Sequence, residues 1–321
     1  MIVATWNLEN LFPPESEFGP TSQEAYEAKL TSLAAVITEI GPDVLAVQEV
    51  GSSEALDDLV ARLEGDWHVA LSQFPDRREI RVGFVSRPAF DDVEDVRDFP
   101  PLLRPVQVDD EGATIEAANR GVLRVRVTSA GRPVDLATCH LKSKLLTYPG
   151  ERFSPHDEGE RARFGAYALY QRAAEAVTVR SLADRLLDGR GSERAVVVLG
   201  DLNDEPYAAT TQILLGPPGS EIGTEGFERP DQGDRRRLWN LAPLIPEERR
   251  FTRVYRGRPE LVDHVLVSHT LVQRVIGADT TDQAPPSITE FPSARRNAPG
   301  SDHRPVVAEL DLAAQPPPVD T

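Results

Sequence analysis

Two short runs in this chain hold the residue types that phosphate chemistry needs. Ser301-Asp302-His303-Arg304-Pro305-Val306 sets a carboxylate beside an imidazole. Gly200-Asp201-Leu202-Asn203-Asp204-Glu205-Pro206 sets a carboxylate two residues from an amide. Hydrolysing a phosphate ester requires carboxylates for a hard divalent cation, neutral donors for phosphoryl oxygens, and a group that handles protons. Two more pieces stand in the N-terminal part, Thr5-Trp6-Asn7-Leu8-Glu9-Asn10 and Val47-Gln48-Glu49-Val50. Each piece alone is a weak signal, and the information lies in their joint occurrence and order.

Taken singly, every residue has a bland reading beside the chemical one. Glu49 closes the apolar run Val44-Leu45-Ala46-Val47-Gln48 and is either a surface strand end or a metal ligand. Asn7 is either a turn residue, since Asn readily bonds its own backbone, or an amide placed for metal or phosphate. Asp201 and Asn203 follow Ala195-Val196-Val197-Val198-Leu199, and strand alternation puts both on one side with Leu202 opposite. The former is an anionic acceptor able to orient a water; the latter can donate to a phosphoryl oxygen. A simple Asx turn is the alternative. Asp302 and His303 would face apart on a strand but converge in a loop. An imidazole used on a phosphate must be held in one tautomer, or kept protonated, by a carboxylate. Asp263 lies in the apolar run Leu261-Val262-Asp263-His264-Val265-Leu266-Val267-Ser268, where an unpaired acid is expensive, so a partner is expected for it. His264 should face away and be structural. His140 ends the apolar run Val134-Asp135-Leu136-Ala137-Thr138-Cys139, and Cys139, the single cysteine, reads as a buried inert thiol. No zinc spacing, P-loop or dinucleotide glycine fingerprint occurs.

In this order the four pieces resemble those of the endonuclease/exonuclease/phosphatase superfamily. These metal-dependent hydrolases include DNase I, abasic-site endonucleases, inositol-phosphate 5-phosphatases and bacterial sphingomyelinases. The resemblance extends from Ile2 to about Leu312. It implies an α/β four-layer sandwich: two mixed β-sheets face to face, helices outside each, and the active site at one end. One domain is expected over 1–313, with a disordered tail at 314–321. Glu49 is implied as principal ligand of Mg²⁺ or Mn²⁺, with Asn7 and Asp302 close by. Asp201 is implied to orient or deprotonate the attacking water. Asn203, His140 and His303 are implied to donate to non-bridging oxygens, with Asp263 behind His303. Glu9 takes a supporting role. From order alone, Glu79 is the candidate carboxylate for His140. Arg120 and Lys142 are candidate substrate contacts, although solvated strand-end cations are the default reading.

These groups need elements to position them. The spacing predicts a helix over 21–40, with Thr21 and Glu24 as a capping box and Tyr26, Leu30, Leu33, Ile37 and Ile40 on one face. Gly41-Pro42 stops it before a strand at 44–50, and a second helix starts near Ser53. Strands are expected at 68–72, 81–87, 121–128, 133–140, 195–199, 251–256, 261–268 and 306–312, and a helix at 157–187. The acidic stretch 91–118 and the polar stretch 216–237 read as loops.

Composition narrows the substrate less sharply. The 321 residues carry a net charge of −17, awkward for a protein that grips duplex DNA through many phosphates. A local basic patch from Arg77, Arg78, Arg81, Arg87, Arg104, Arg120, Lys142 and Lys144 remains open. A nuclease acting on DNA or RNA is the first reading, a phosphomonoesterase on a nucleotide, sugar phosphate or inositol phosphate the second, and a non-catalytic binding scaffold the third. The start of the chain lacks a basic n-region and no apolar run spans a bilayer, so a cytoplasmic monomer without membrane contact is expected.

Overall fold

Two β–α–β units set the architecture. In the first, the strand Ile2–Leu11 leads through the helix Gln23–Ile40 to the strand Val44–Val50, and the two strands pair in parallel. In the second, Arg132–His140 leads through the helix Glu158–Leu187 to Ala195–Asp201, again a parallel pair. The computed structural model describes residues 1–313 except positions 15, 151 and 290, so the tail expected at 314–321 lies outside the described residues.

Each unit seeds a six-stranded sheet. The first sheet runs Val275–Thr280, Val306–Leu310, Ile2–Leu11, Val44–Val50, Arg81–Ser86, His68–Leu71; the second runs Leu238–Asn240, Asp263–Ser268, Ala195–Asp201, Arg132–His140, Ala117–Ser129, Asp92–Asp98. Within each, the pair from the β–α–β unit is parallel and the other neighbours are antiparallel. The central strands are apolar on both faces because both faces are buried. Val44, Ala46 and Phe84 meet Val125, Leu136, Val197 and Val267 between the sheets. The alternate residues Leu45 and Val47 pack outward on Leu30, Leu33 and Ile37, and Val196 and Val198 on Val179, Leu182 and Leu186. Helix, sheet, sheet, helix: the expected four layers are present.

Local chemistry explains the helix ends, with one correction. Ser22, not Thr21, caps the first helix, its hydroxyl accepting from the Ala25 N–H, while Thr21 bonds Asn297. Gly41 ends it in the left-handed region at φ 58°. Asp157, where the long helix was expected to start, is its cap, accepting from the Glu160 N–H.

The 91–118 stretch, expected as loop, contains the edge strand Asp92–Asp98 paired with Ala117–Ser129. Its charges obscured the strand pattern, as edge strands tend to be guarded by charge. The short edge strands Leu238–Asn240 and Val275–Thr280 were likewise unforeseen. The strand expected at 251–256 is Arg253–Tyr255, hairpinned to Arg258–Glu260, and the next begins at Asp263. Among the described residues, no helix is long and apolar enough to cross a membrane.

Candidate active site

The carboxyl ends of the two parallel pairs come together at one end of the sandwich, where open α/β sheets place ligand groups. Register aligns part of the site before any side chain is considered. Asp201 is paired with His140 on one neighbouring strand and with Asp263 on the other, so the three stand in a row across the second sheet. Gly200 permits that approach: at φ 151°, a Cβ on it would lie 2.1 Å from the Cys139 carbonyl oxygen.

Asp201 is the hub. Its Oδ2 accepts from Asn7 Nδ2 of the opposite sheet at 3.0 Å and lies 3.3 Å from His140 Nε2. Its Oδ1 accepts from the Asn203 backbone N–H at 2.8 Å. Asn203 leaves the strand at φ 52° and donates its amide to the Leu141 carbonyl at 3.0 Å, so the motif is fastened to both central strands. Asp263, fully buried, meets His303 Nδ1 at 2.7 Å, and ligand atoms of Asp201, Asp263 and His303 lie within 4.8 Å of one another. The loop carrying His303 is tied to the first strand. Trp6 Nε1 donates to the His303 carbonyl at 2.9 Å, and the Ser301 hydroxyl donates to the Asn7 carbonyl at 2.6 Å while accepting the His303 N–H.

Burial and neighbours drive the two histidines apart. Burial alone would lower the pKa of His303, but Asp263 overrides it and raises it to about 10, so the ring is an imidazolium at neutral pH. His140 is pushed well below its ordinary value by burial and then by the Arg120 charge, so it is neutral. Asp201 rises to about 6 through burial and the nearby Asp263 carboxylate.

Towards the first sheet the groups are harder and more acidic. Glu49 is half-buried and takes the Asn10 N–H on Oε2 at 2.9 Å. Glu9, Asn10 and Glu49 all have positive φ, at 51°, 55° and 61°. Backbone held in that region by non-glycine residues clusters at functional sites. Burial and then Asp302 raise Glu9 to about 7, while Arg295 grips its carboxylate with two bonds of 2.7 and 2.9 Å. The buried Lys29 ammonium lies within the field of Glu9, Asp302 and Glu49. The hard oxygens of Glu9, Glu49 and Asp302 suit a hard dication, whereas among the described residues it is Asp201, Asp263 and His303 whose ligand atoms lie within 4.8 Å of one another. Asn7 Oδ1 already accepts the Glu9 N–H at 3.0 Å, which leaves it one lone pair. Glu49 and Asp302 would hold such an ion, with Asn7 beside them.

Three expectations change at the rim. Glu79 does not face His140 but pairs with Arg81 at 3.1 Å and is largely exposed; His140 Nδ1 has no partner among the described residues. Arg120 is turned inward onto Asp76 at 2.8 Å and the His140 carbonyl. Lys142 Nζ caps the carbonyls of Ser143 and Leu145. Neither cation is presented freely to a substrate. His264 is structural, as expected, holding the Asp204 carbonyl at 2.8 Å.

Some site residues escaped sequence reasoning. Gln48, buried between the sheets, joins Thr5 to Thr138 through bonds of 3.0 and 3.1 Å. Lys29 had a readable signal: it falls on the apolar face formed by Tyr26, Leu30, Leu33 and Ile37. Arg253 had none.

Comparison with known proteins agrees with this geometry. The family model described as Endonuclease/Exonuclease/phosphatase family matches residues 4–303. Among solved structures, the human Nocturnin catalytic domain with bound sulfate is 15% identical, with 97% of this chain and 94% of that one covered and a TM-score of 0.59. A mannosyl-6-phosphatase of Bacteroides thetaiotaomicron is 14% identical over 97% of this chain and 100% of that one, with TM-score 0.58. A 3′-5′ exonuclease of Neisseria meningitidis is 18% identical over 97% and 100%, with TM-score 0.56. At such identities the likeness shows the fold. A search of curated protein sequences finds no significant match. With the family model spanning nearly the whole chain and its strand-end motifs assembled into one site, the protein belongs to the endonuclease/exonuclease/phosphatase family.

Proposed function

We propose that this phosphoesterase cleaves phosphodiesters by in-line attack of water, with DNA or RNA as substrate and Mg²⁺ or Mn²⁺ as cofactor. The observation that carries the reading is the row His140–Asp201–Asp263 completed by His303, with Asn7 reaching Asp201 from the other sheet. A dication held by Glu49 and Asp302 would supply positive charge for the phosphoryl and leaving oxygens. Asp201 accepts the water proton, its carboxylate oriented by Asn7 and the Asn203 N–H. His303, cationic through Asp263, donates to a non-bridging oxygen, where charge develops. His140 and the Asn203 amide are neutral donors to the same group.

One observation favours the second reading, a monoesterase on a small phosphate. Arg120 and Lys142, the cations expected to follow a polynucleotide backbone, are bound to protein groups, and the net charge is −17. A panel of plasmid DNA, single-stranded DNA, RNA, bis-p-nitrophenyl phosphate and phosphomonoesters, with Mg²⁺ or Mn²⁺ and with EDTA, separates the two. Diester cleavage abolished by EDTA is expected. Efficient monoester hydrolysis with no cleavage of DNA or RNA under either metal reverses the ranking.

A further inference from the structure

Arg253 lies in the site without a task in the chemistry outlined above. Its strand, Arg253–Tyr255, places it opposite Glu260 in a regular antiparallel pair, while an isolated bridge sets Arg253 opposite His303. Directly opposed residues on neighbouring strands project to the same face, with Cβ atoms about 4.5–5.5 Å apart. The Arg253 side chain therefore rises beside His303, the residue that meets the phosphate in the proposed reaction.

The guanidinium is fixed at one end and unsatisfied at the other. Its Nη2 donates to Glu260 Oε2 at 2.7 Å, and the pair is largely buried, with side-chain exposures of 13% and 9%. Its Nε is buried and has no partner among the described residues. A guanidinium is a rigid planar fork, so anchoring one nitrogen sets the direction of the rest, and a buried N–H without an acceptor is costly. The carboxylate Asp263 gives Oδ2 to His303, and its Oδ1, like Arg253 Nε, is buried without a partner among the described residues. The charge of Arg253 also acts on Asp201, Asp302 and His140, in keeping with its place opposite His303 in the bridge. A substrate oxyanion is an acceptor of the right charge to complete this fork.

We propose that Arg253 is a substrate-binding residue: pinned by Glu260, its guanidinium donates to a non-bridging oxygen of the same phosphate that His303 contacts. This rests on the phosphoesterase reading above, and it deepens that reading by naming the cation that Arg120 and Lys142 do not supply.

The test uses inorganic phosphate as probe, titrated by calorimetry into the wild-type protein, Arg253→Lys, Arg253→Gln and Glu260→Gln, with thermal melts alongside. Arg253→Gln should weaken phosphate binding at least about tenfold, in keeping with loss of a charge-assisted contact. Arg253→Lys, which keeps the charge but loses the fork, should fall between it and the wild type, and added guanidinium should restore part of the binding to Arg253→Gln. A purely structural ion pair would instead lower the melting temperature equally in Arg253→Gln and Glu260→Gln and leave phosphate affinity within about twofold. That result overturns the proposal, as does a wild-type protein that does not bind phosphate. A wild-type protein that binds phosphate through Arg253 yet hydrolyses no ester with either metal sinks the enzymatic reading and leaves this one standing.

Discussion

The two β–α–β units are wired alike and furnished differently. In each, a helix carries the chain from one strand to its parallel neighbour, and both strand ends deliver polar groups to the same end of the sandwich. The first unit delivers Asn7 and Glu49, the latter half-buried and set among left-handed backbone, Glu9 and Lys29. The second delivers His140 and Asp201, both buried, in direct contact with each other, and tuned by their surroundings to a neutral ring and a weakened acid. Shared wiring thus does not impose shared chemistry. What a strand end can do depends on its solvation: hard, partly wet carboxylates suit a cation, and dry coupled groups suit proton transfer.

The largest test of that division lies on the dry side. His303→Ala and Asp263→Asn should each lower kcat by about 10³- to 10⁴-fold, as expected of an imidazole and the carboxylate that orients it, with the double variant barely worse than His303→Ala. Losses that multiply would show that the two do not act as a unit.

On the wet side, Glu49→Gln should weaken Mn²⁺ binding, followed by calorimetry, by at least about 100-fold, since even groups one step behind a metal ligand cost 10- to 100-fold. Turnover should fall with it while circular dichroism stays unchanged. Wild-type metal affinity in this variant would erase the contrast between the halves.

The pH dependence sharpens it. Asp201 accepts a proton only when ionised, so kcat/KM should fall as pH drops below about 6. His303 acts oppositely on stability: because its folded value is raised to about 10, its contribution is complete below its ordinary value of 6.5 and is lost as pH rises through about 10. Melting temperature of the metal-free protein should therefore decline across that window, and His303→Gln should flatten the decline.

The smallest effect concerns the rim. Lys142→Ala with Lys144→Ala should reduce polynucleotide cleavage less than about tenfold and flatten its salt dependence by about one phosphate contact, sparing a small chromogenic diester. Most of it should come from Lys144, which is partly exposed at 3.5 Å from Asp204, because the Lys142 ammonium is spent on carbonyls.

What was legible in the sequence followed from physics that acts locally. A polar residue ending a long apolar run has few roles, which is why Glu49, His140 and Asp201 stood out, and why Asp263 demanded a partner that proved to be His303. The edge strand Asp92–Asp98 was hidden because edges are built from charge, not from hydrophobic alternation. Glu79 was assigned to His140 by order along the chain, yet its side chain lies in solvent beside Arg81. Arg253 was out of reach for a different reason: its position depends on a backbone bridge to a residue 50 places away, which no local pattern encodes.

The pairing of the strand Ile2–Leu11 with Val306–Leu310, and the bond from Trp6 to the His303 carbonyl, also have a consequence for synthesis. The strand Ile2–Leu11 waits for Val306–Leu310, about 300 residues later in the chain, before that flank is covered and the imidazole arrives. A growing or truncated chain can present Glu49 but not the acid–imidazole pair, so an incomplete product should be inert towards phosphate esters. The same delay leaves one edge of an apolar strand unpaired until that distant partner arrives, and pairings so far apart along the chain are slow to form.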